Sequence, residues 1–300
     1  MLRDDIITQI KAASADQDLT ILKSARFKKR FFETVIFYST IVINRYTPFF
    51  KLIKAKTLWG DIFFSYEASA IGALYYQHFY DSEITLFLLK YYHENGDLLD
   101  VGSNIGYYAS LFTQIANPNA KIIAFEPTPS TFDLLQKNVG HLPQVTLQKI
   151  ALADSRGTIK FHDYGIRHGV FNSSKAQPYE FLKNVGKVID VATDTLDSWC
   201  EQTNTKPSLI KLDTEGTEVK ILGQAGKILS TYKPIVLLEV GGGEAWKDNT
   251  TGSLDILAKH GYQFFTLNAN GDPVAHTRQL SYQYQNLVAI HQSQIQKYVK

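Results

Sequence analysis

An α/β fold with a doubly wound, mostly parallel sheet is predicted by three observations. From Asp97 onward, short apolar runs alternate with segments of helical spacing. Runs such as Ile235-Val236-Leu237-Leu238 are apolar throughout, as strands covered on both faces are. The run Leu98-Leu99-Asp100-Val101 passes directly into Gly102-Ser103-Asn104-Ile105-Gly106 and then a helical segment. That succession of strand, tight turn and helix start is where open α/β sheets hold nucleotide-like ligands.

Taken in order, residues 1–55 are expected to form an N-terminal helical arm, with Ile6, Ile7 and Ile10 on one face. Thr57 to Tyr66 is expected to be a short strand pair around Gly60-Asp61. A helix follows, carrying Ile84, Phe87, Leu88 and Tyr91 behind a cap at Asp81 or Ser82. The main domain, 56–300, then alternates. Its first strand is Asp97–Val101 and its first helix Tyr107–Ala116. The second strand is Lys121–Glu126 and the second helix Ser130–Val139. The third strand is Val145–Leu152 and the fourth Leu209–Asp213, which leads into a helix from Glu218 to Leu229. After the fifth strand, Ile235–Glu239, a helix from Ser253 to His260 leads to a final antiparallel pair, Tyr262–Leu267 and Asn286–Ile290. Residues 155–206 interrupt this rhythm. Loops in α/β units are usually about 2–6 residues long, so this stretch is an insertion and a candidate substrate lid.

Composition narrows the function. The chain has 300 residues, 44% hydrophobic, with a formal net charge of +2. That allows one large domain with an arm and gives no dense basic stripe for nucleic acid. The single cysteine, Cys200, excludes an internal disulfide and a thiolate metal cluster and suggests a reducing, cytoplasmic setting. No secretory signal is apparent. The apolar stretch Thr34–Asn44 is shorter than the ~20 residues of a spanning helix. The basic cluster 26–30 just before it offers at most peripheral contact with an anionic membrane surface.

The glycine turn chooses between two kinds of ligand. Dinucleotide sites use G-x-G-x-x-G to bring backbone close to a pyrophosphate. Here the spacing is G-x-x-x-G, and the strand carries Asp100, whose charge is unfavourable beside phosphate but suits a cation. S-adenosylmethionine, with its sulfonium and ammonium groups and no phosphate, fits that charge logic. Glu126, at the end of the second strand and 20 residues after Gly106, is placed to accept ribose hydroxyls.

The ordered set Asp100-Val-Gly-Ser-Asn-Ile-Gly-Tyr107, Ala124-Phe-Glu-Pro127, Ala151-Leu-Ala-Asp154, Thr195-Leu-Asp197, Ile210-Lys-Leu-Asp-Thr-Glu-Gly-Thr-Glu218 and Lys233-Pro-Ile-Val-Leu-Leu-Glu239 resembles the FkbM-type S-adenosylmethionine-dependent methyltransferases over residues 55 to 290. The resemblance implies a class I, Rossmann-like methyltransferase fold: a seven-stranded sheet with its last strand antiparallel. It also implies O-methylation of a hydroxyl on a small molecule, sugar or glycan. The residues expected to hold the cofactor are Asp100, Gly102, Ser103, Asn104, Gly106, Glu126, Pro127, Ala151 and Asp213. Competing readings are a catalytically silent methyltransferase-like interaction module and a nucleic-acid methyltransferase.

Methyl transfer to oxygen requires in-line placement of acceptor and sulfonium and removal of the hydroxyl proton. Asp213 and Glu215, just beyond the fourth strand, are the candidate catalytic pair, with Glu215 preferred as general base. Glu218 is read as a first-turn acid of the next helix. No metal is expected. His162 and His168 are alternative bases, and Arg167 and Lys175 are candidate contacts for an anionic substrate. Trp59, Tyr76, Tyr80, Tyr107 and Tyr108 are candidate pocket walls.

Overall fold

The computed structural model describes residues 3–14, 35, 39, 52–65, 78–177, 179–241, 247–279 and 281–299. The basic cluster 26–30, most of the stretch 34–44, and Tyr76 lie outside these residues.

Helix α1 (Arg3–Ser14) buries Ile6 and Ile10 as its spacing predicts. It docks by a forked contact. The Arg3 guanidinium donates to the carbonyls of Tyr92, Gln114 and Ile115 at 3.1, 3.2 and 2.7 Å. Strands β1 (Leu52–Thr57) and β2 (Gly60–Ser65) form an antiparallel hairpin that turns at Leu58-Trp59. The turn thus falls ahead of the expected Gly60-Asp61 centre, and β1 runs across residue 55. The Thr57 hydroxyl closes it, donating to the Gly60 carbonyl at 2.7 Å.

Helix α2 (Ser82–Tyr91) precedes the main sheet. The sheet is built from β3 (Asp97–Val101), β4 (Ile122–Phe125), β5 (Val145–Gln148), β9 (Pro207–Leu212), β10 (Ile235–Val240), β11 (Tyr262–Leu267), β12 (Pro273–Ala275) and β13 (Gln285–His291). Their order in space is β12-β11-β13-β10-β9-β3-β4-β5. Strands β5, β4, β3, β9 and β10 are parallel, and β13 enters antiparallel between β10 and β11. Eight strands rather than seven result because the Gly271-Asp272 turn lets β12 fold back on β11.

Alternate residues of the parallel strands feed two cores. Leu98, Ile122, Leu209, Leu237 and Val288 face α1, α2 and α3 (Tyr107–Phe112). Leu99, Ile123, Ile210, Leu238 and Ala289 face α5 (Leu196–Thr203), α6 (Glu218–Gly223), α7 (Gly226–Thr231) and α8 (Lys247–Lys259). Coverage on both faces is why these strands are apolar throughout. Each buried Leu or Ile contributes roughly 1.5–3 kcal/mol.

Two expectations are corrected here. The third strand stops at Gln148. After a bend, β6 (Ala151–Leu152) leaves the main sheet and pairs with β8 (Lys187–Asp194), which also pairs with β7 (Gly157–Asp163). The region 155–206 therefore contains a β7–β8 hairpin, with 3-10 turns at Ile166–Phe171 and Glu180–Leu182, followed by α5. Asp154 pairs with Lys220 at 3.1 Å, linking this second sheet to α6. The helix expected from Glu218 to Leu229 is broken at Gln224-Ala225. Asp197 accounts for the break: its carboxylate accepts the amides of Lys227 and Ile228 at 2.8 and 3.0 Å and starts α7 separately.

Candidate active site

The carboxyl ends of β3, β4, β9 and β10 converge on one cavity of about 320 Å³. Its floor is the glycine turn after β3. Gly102 (φ +82°) and Gly106 (φ +90°) adopt left-handed backbone that suits glycine, with Asn104 (φ +49°) between them. The Gly102 and Ser103 amides donate to the Phe125 carbonyl at 3.1 and 2.9 Å. At Gly102 the turn is pressed against the β9 loop, so that a Cβ built there would lie 1.9 Å from the Asp213 carbonyl oxygen. At Gly106 a Cβ would meet Leu135 at 2.8 Å, so this glycine serves packing of α4 (Pro129–Val139). Gly102→Ala is therefore expected to cost about 2 kcal/mol from overpacking and backbone strain together. Denaturant unfolding should show that loss, and ligand affinity should fall with the displaced loop.

Asp100 lies beneath the turn. It is buried and not on the cavity wall. One carboxylate oxygen accepts the Ala109 amide of α3 at 3.0 Å, and the other, Oδ1, has no hydrogen-bond partner among the described residues. Burial pushes its pKa up to about 6, against the opposing pull of Lys211. Glu126 follows β4 and does line the cavity. Its carboxylate accepts the amides of Asn104 and Thr128 at 3.1 and 3.0 Å and the Thr128 hydroxyl. Burial outweighs these bonds and raises it to about 7.

The chemistry-bearing cluster grows from β9. In a strand, residues two apart share a face, so Lys211 and Asp213 point the same way. The buried Lys211 ammonium lies 2.8 Å from Asp213 Oδ2 and 4.5 Å from the centre of the Tyr108 ring. The Tyr108 hydroxyl in turn donates to Asp81 at 2.7 Å. Leu212 pairs with Leu238 across β9 and β10, which brings Glu239 beside Asp213. Carboxylate oxygens of Asp213, Glu215 and Glu239 all lie within 4.8 Å of one another. Lys211 keeps Asp213 below its ordinary range despite burial. Burial and the charge of Asp213 push Glu239 well up and carry Glu215 to about 8. Asp213 and Glu239 share a hydrogen bond, whereas no donor to the Glu215 carboxylate is found among the described residues.

Glu215 is held by backbone. It and Gly216 have φ of +54° and +99°, which curls the loop. Glu218 fastens that curl, accepting the amides of Thr214 and Gly216 at 2.7 and 3.1 Å and Asn249 Nδ2 at 2.6 Å. The acid read from sequence as a helix-terminal charge thus shapes the loop before it.

Of the residues singled out in the sequence, Gly102, Ser103, Asn104, Glu126, Pro127, Ala151, Asp213 and Glu215 share the cavity wall, while Asp100 and Gly106 stand behind it. His162, His168 and Lys175 are not on the wall, and the Arg167 side chain is outside the described set. Sequence reasoning passed over Lys211, whose signal was a charge inside an apolar strand two residues before Asp213. It also passed over Asp81 and Asn172 as wall residues.

A glycine turn and an acid-lined cavity at the carboxyl edge of a mostly parallel sheet define a class: α/β proteins that take a nucleotide-like ligand at the switch region. The chain belongs to the methyltransferase FkbM domain family, whose model matches residues 100–264. Among its relatives, the 2-O-methyltransferase NoeI of Sinorhizobium fredii is 30% identical over 144 residues, 44% of this chain and 58% of that protein. The chain thus spans less than two thirds of NoeI. The hexuronic acid methyltransferase AglP of Haloferax volcanii is 29% identical over 200 residues, 66% of this chain and 77% of that protein. Among solved structures, the methyltransferase FkbM from Methylobacillus flagellatus is 16% identical with a TM-score of 0.40, covering 66% of this chain and 44% of that one. The O-methyltransferase from Bacillus cereus in complex with SAH is 10% identical with a TM-score of 0.42, covering 71% and 82%. Among the described residues, no helix is long and apolar enough to cross a membrane.

Proposed function

We propose that this protein is an S-adenosylmethionine-dependent O-methyltransferase acting on a hydroxyl of a sugar or glycan. The observation that carries the reading is the placement, on one cavity wall, of the glycine turn, Glu126 and a Glu215 carboxylate that has no donor among the described residues. The names of NoeI and AglP support the sugar acceptor.

The residues present fit the cofactor. Asp81, Glu126, Asp213, Glu215 and Glu239 face the cavity with Lys211, which suits a cationic ligand. When bound, S-adenosylmethionine supplies a methyl group on a sulfonium. Glu126 would accept the ribose hydroxyls, and the backbone of Gly102, Ser103 and Asn104 would hold the amino-acid end. Pro127, Ala151 and Leu152 would wall the base. Glu215 would take the proton of the acceptor hydroxyl, with Asp213 fixed beside it by Lys211. This reading assigns no metal to the acidic trio, because the Lys211 ammonium is the cation it already faces. The stretch 164–187 is read as the wall that selects the acceptor. A cytoplasmic setting belongs to the same reading, on the strength of the single buried thiol of Cys200.

Calorimetry with S-adenosylhomocysteine tests it. Micromolar binding is expected, weakened at least tenfold in Glu126→Ala. Absence of binding at millimolar concentration, or full affinity in that variant, would count against the cofactor.

A further inference from the structure

We propose that an apolar lip running from Ile166 and Val170 on the cavity wall to Tyr179 and Tyr284 beside it is the acceptor subsite. There an aromatic face stacks on the carbon–hydrogen face of a pyranose ring. This rests on the methyl-transfer reading above and names the part of the site that chooses the acceptor.

The lip is apolar and open, whereas the wall formed by Asp213, Glu215 and Glu239 is acidic. Ile166 and Val170 line the cavity, yet each leaves 37% of its surface exposed. Tyr284 leaves 54% exposed. These side chains come from distant parts of the chain and are tied together. Ile166 and Val170 belong to the 3-10 turn that ends at Phe171, whose ring lies 5.2 Å from that of Tyr179. Tyr179 shares a hydrogen bond with Tyr284. Tyr284 just precedes β13, in which Gln285 pairs with Val240 and Asn286 with Glu239. A Cβ built on Gly241 would lie 2.6 Å from the Tyr284 backbone, so this tyrosine is pressed against the chain leaving β10. It is near enough to Glu215 and Glu239 that their charges, after burial and the bond to Tyr179, push its phenol up. The insertion is moored to the same loop, with the Ser173 hydroxyl donating to the Glu215 carbonyl at 2.8 Å.

A ligand that satisfies both halves must be amphipathic across its own thickness. A pyranose is such a molecule: its axial C–H bonds form an apolar face that suits the electron-rich face of an aromatic ring, and its hydroxyls lie around the rim. Stacked on Tyr284, that rim would reach Glu215 and Glu239. A simple aliphatic chain would use the lip and leave the acids unmatched.

Steady-state kinetics with methyl glucoside, methyl galactoside and methyl mannoside as acceptors tests the subsite. Tyr284→Ala is expected to raise the acceptor KM at least tenfold, with kcat within threefold and S-adenosylhomocysteine affinity within twofold of the parent. Tyr284→Trp, which keeps an aromatic face, should stay close to the parent. Tyr284→Leu, which keeps only apolar area, should behave like the alanine variant. Turnover by the parent with an unchanged KM in Tyr284→Ala, or full function in Tyr284→Leu, overturns the stacking subsite alone. No turnover of any pyranose by a parent protein that binds S-adenosylhomocysteine overturns the sugar acceptor and the subsite together.

Discussion

Glu215→Gln is expected to lower kcat by about 10²–10⁴-fold while leaving S-adenosylhomocysteine affinity within a few fold. Glutamine keeps the size and polarity of the side chain but cannot take a proton. The loop should persist, because it is held by Glu218 and by the left-handed backbone at 215 and 216, not by the Glu215 carboxylate. The pH profile supplies an independent sign. Burial and the neighbouring Asp213 raise Glu215 to about 8, so in the free protein it carries a proton at neutral pH. A base must be ionised to act. The parent kcat/KM should therefore rise with pH through 7, close to tenfold per unit, and level off above about 8. Asp213, held ionised by Lys211, contributes no inflection in that window, and the profile is taken for the acceptor with the cofactor saturating so that Glu126, raised to about 7, does not supply one. The residual activity of Glu215→Gln should lack the rise. A profile that keeps its inflection in the variant would transfer the role of base to another group.

How far such a site can be read from sequence depends on where its residues sit in their strands. Asp100, Glu126 and Asp213 were legible because each interrupts or ends an apolar run, where an acid has no packing role. Their destinations differ for a reason the run does not contain. Asp100 sits one residue before the strand end and turns under the loop, whereas Glu126 and Asp213 come after the last paired residue and reach the cavity. The trio with Glu239 needed the parallel register of β9 and β10, a long-range property. Lys211 was hidden by its own strand, because one lysine among leucines and isoleucines does not break the apolar pattern. The departure of β6 from the main sheet was not legible either, since two residues are too few to carry a periodicity. Glu218 looked like a helix-terminal charge because its spacing is that of one. Only the left-handed pair at 215 and 216 turns the preceding amides back onto its carboxylate.

Lys211→Met should be the most destabilising single change in this region, lowering unfolding free energy by about 3 kcal/mol. Methionine fills the volume, so the loss is electrostatic rather than a cavity. Asp213 would then lose its 2.8 Å partner while Glu215 and Glu239 still crowd it, with no ammonium beside the trio among the described residues. The magnitude is taken at the low end for a broken buried pair because the Asp213 side chain is 36% exposed and water takes up part of its charge. In this 300-residue chain that corresponds to a fall of roughly 5–10 °C in Tm. The companion variant separates charge from packing. Asp213→Asn in the Lys211→Met background removes the stranded carboxylate, so the double variant should recover part of the stability lost by the lysine change alone. Strict additivity of the two changes would mean that Lys211 contributes through its stem against Tyr108 rather than through Asp213. Recovery would also identify why a lysine belongs in an otherwise apolar strand: it lets Asp213 stay ionised beside Glu239, so that the proton the cluster is free to exchange is the one on Glu215.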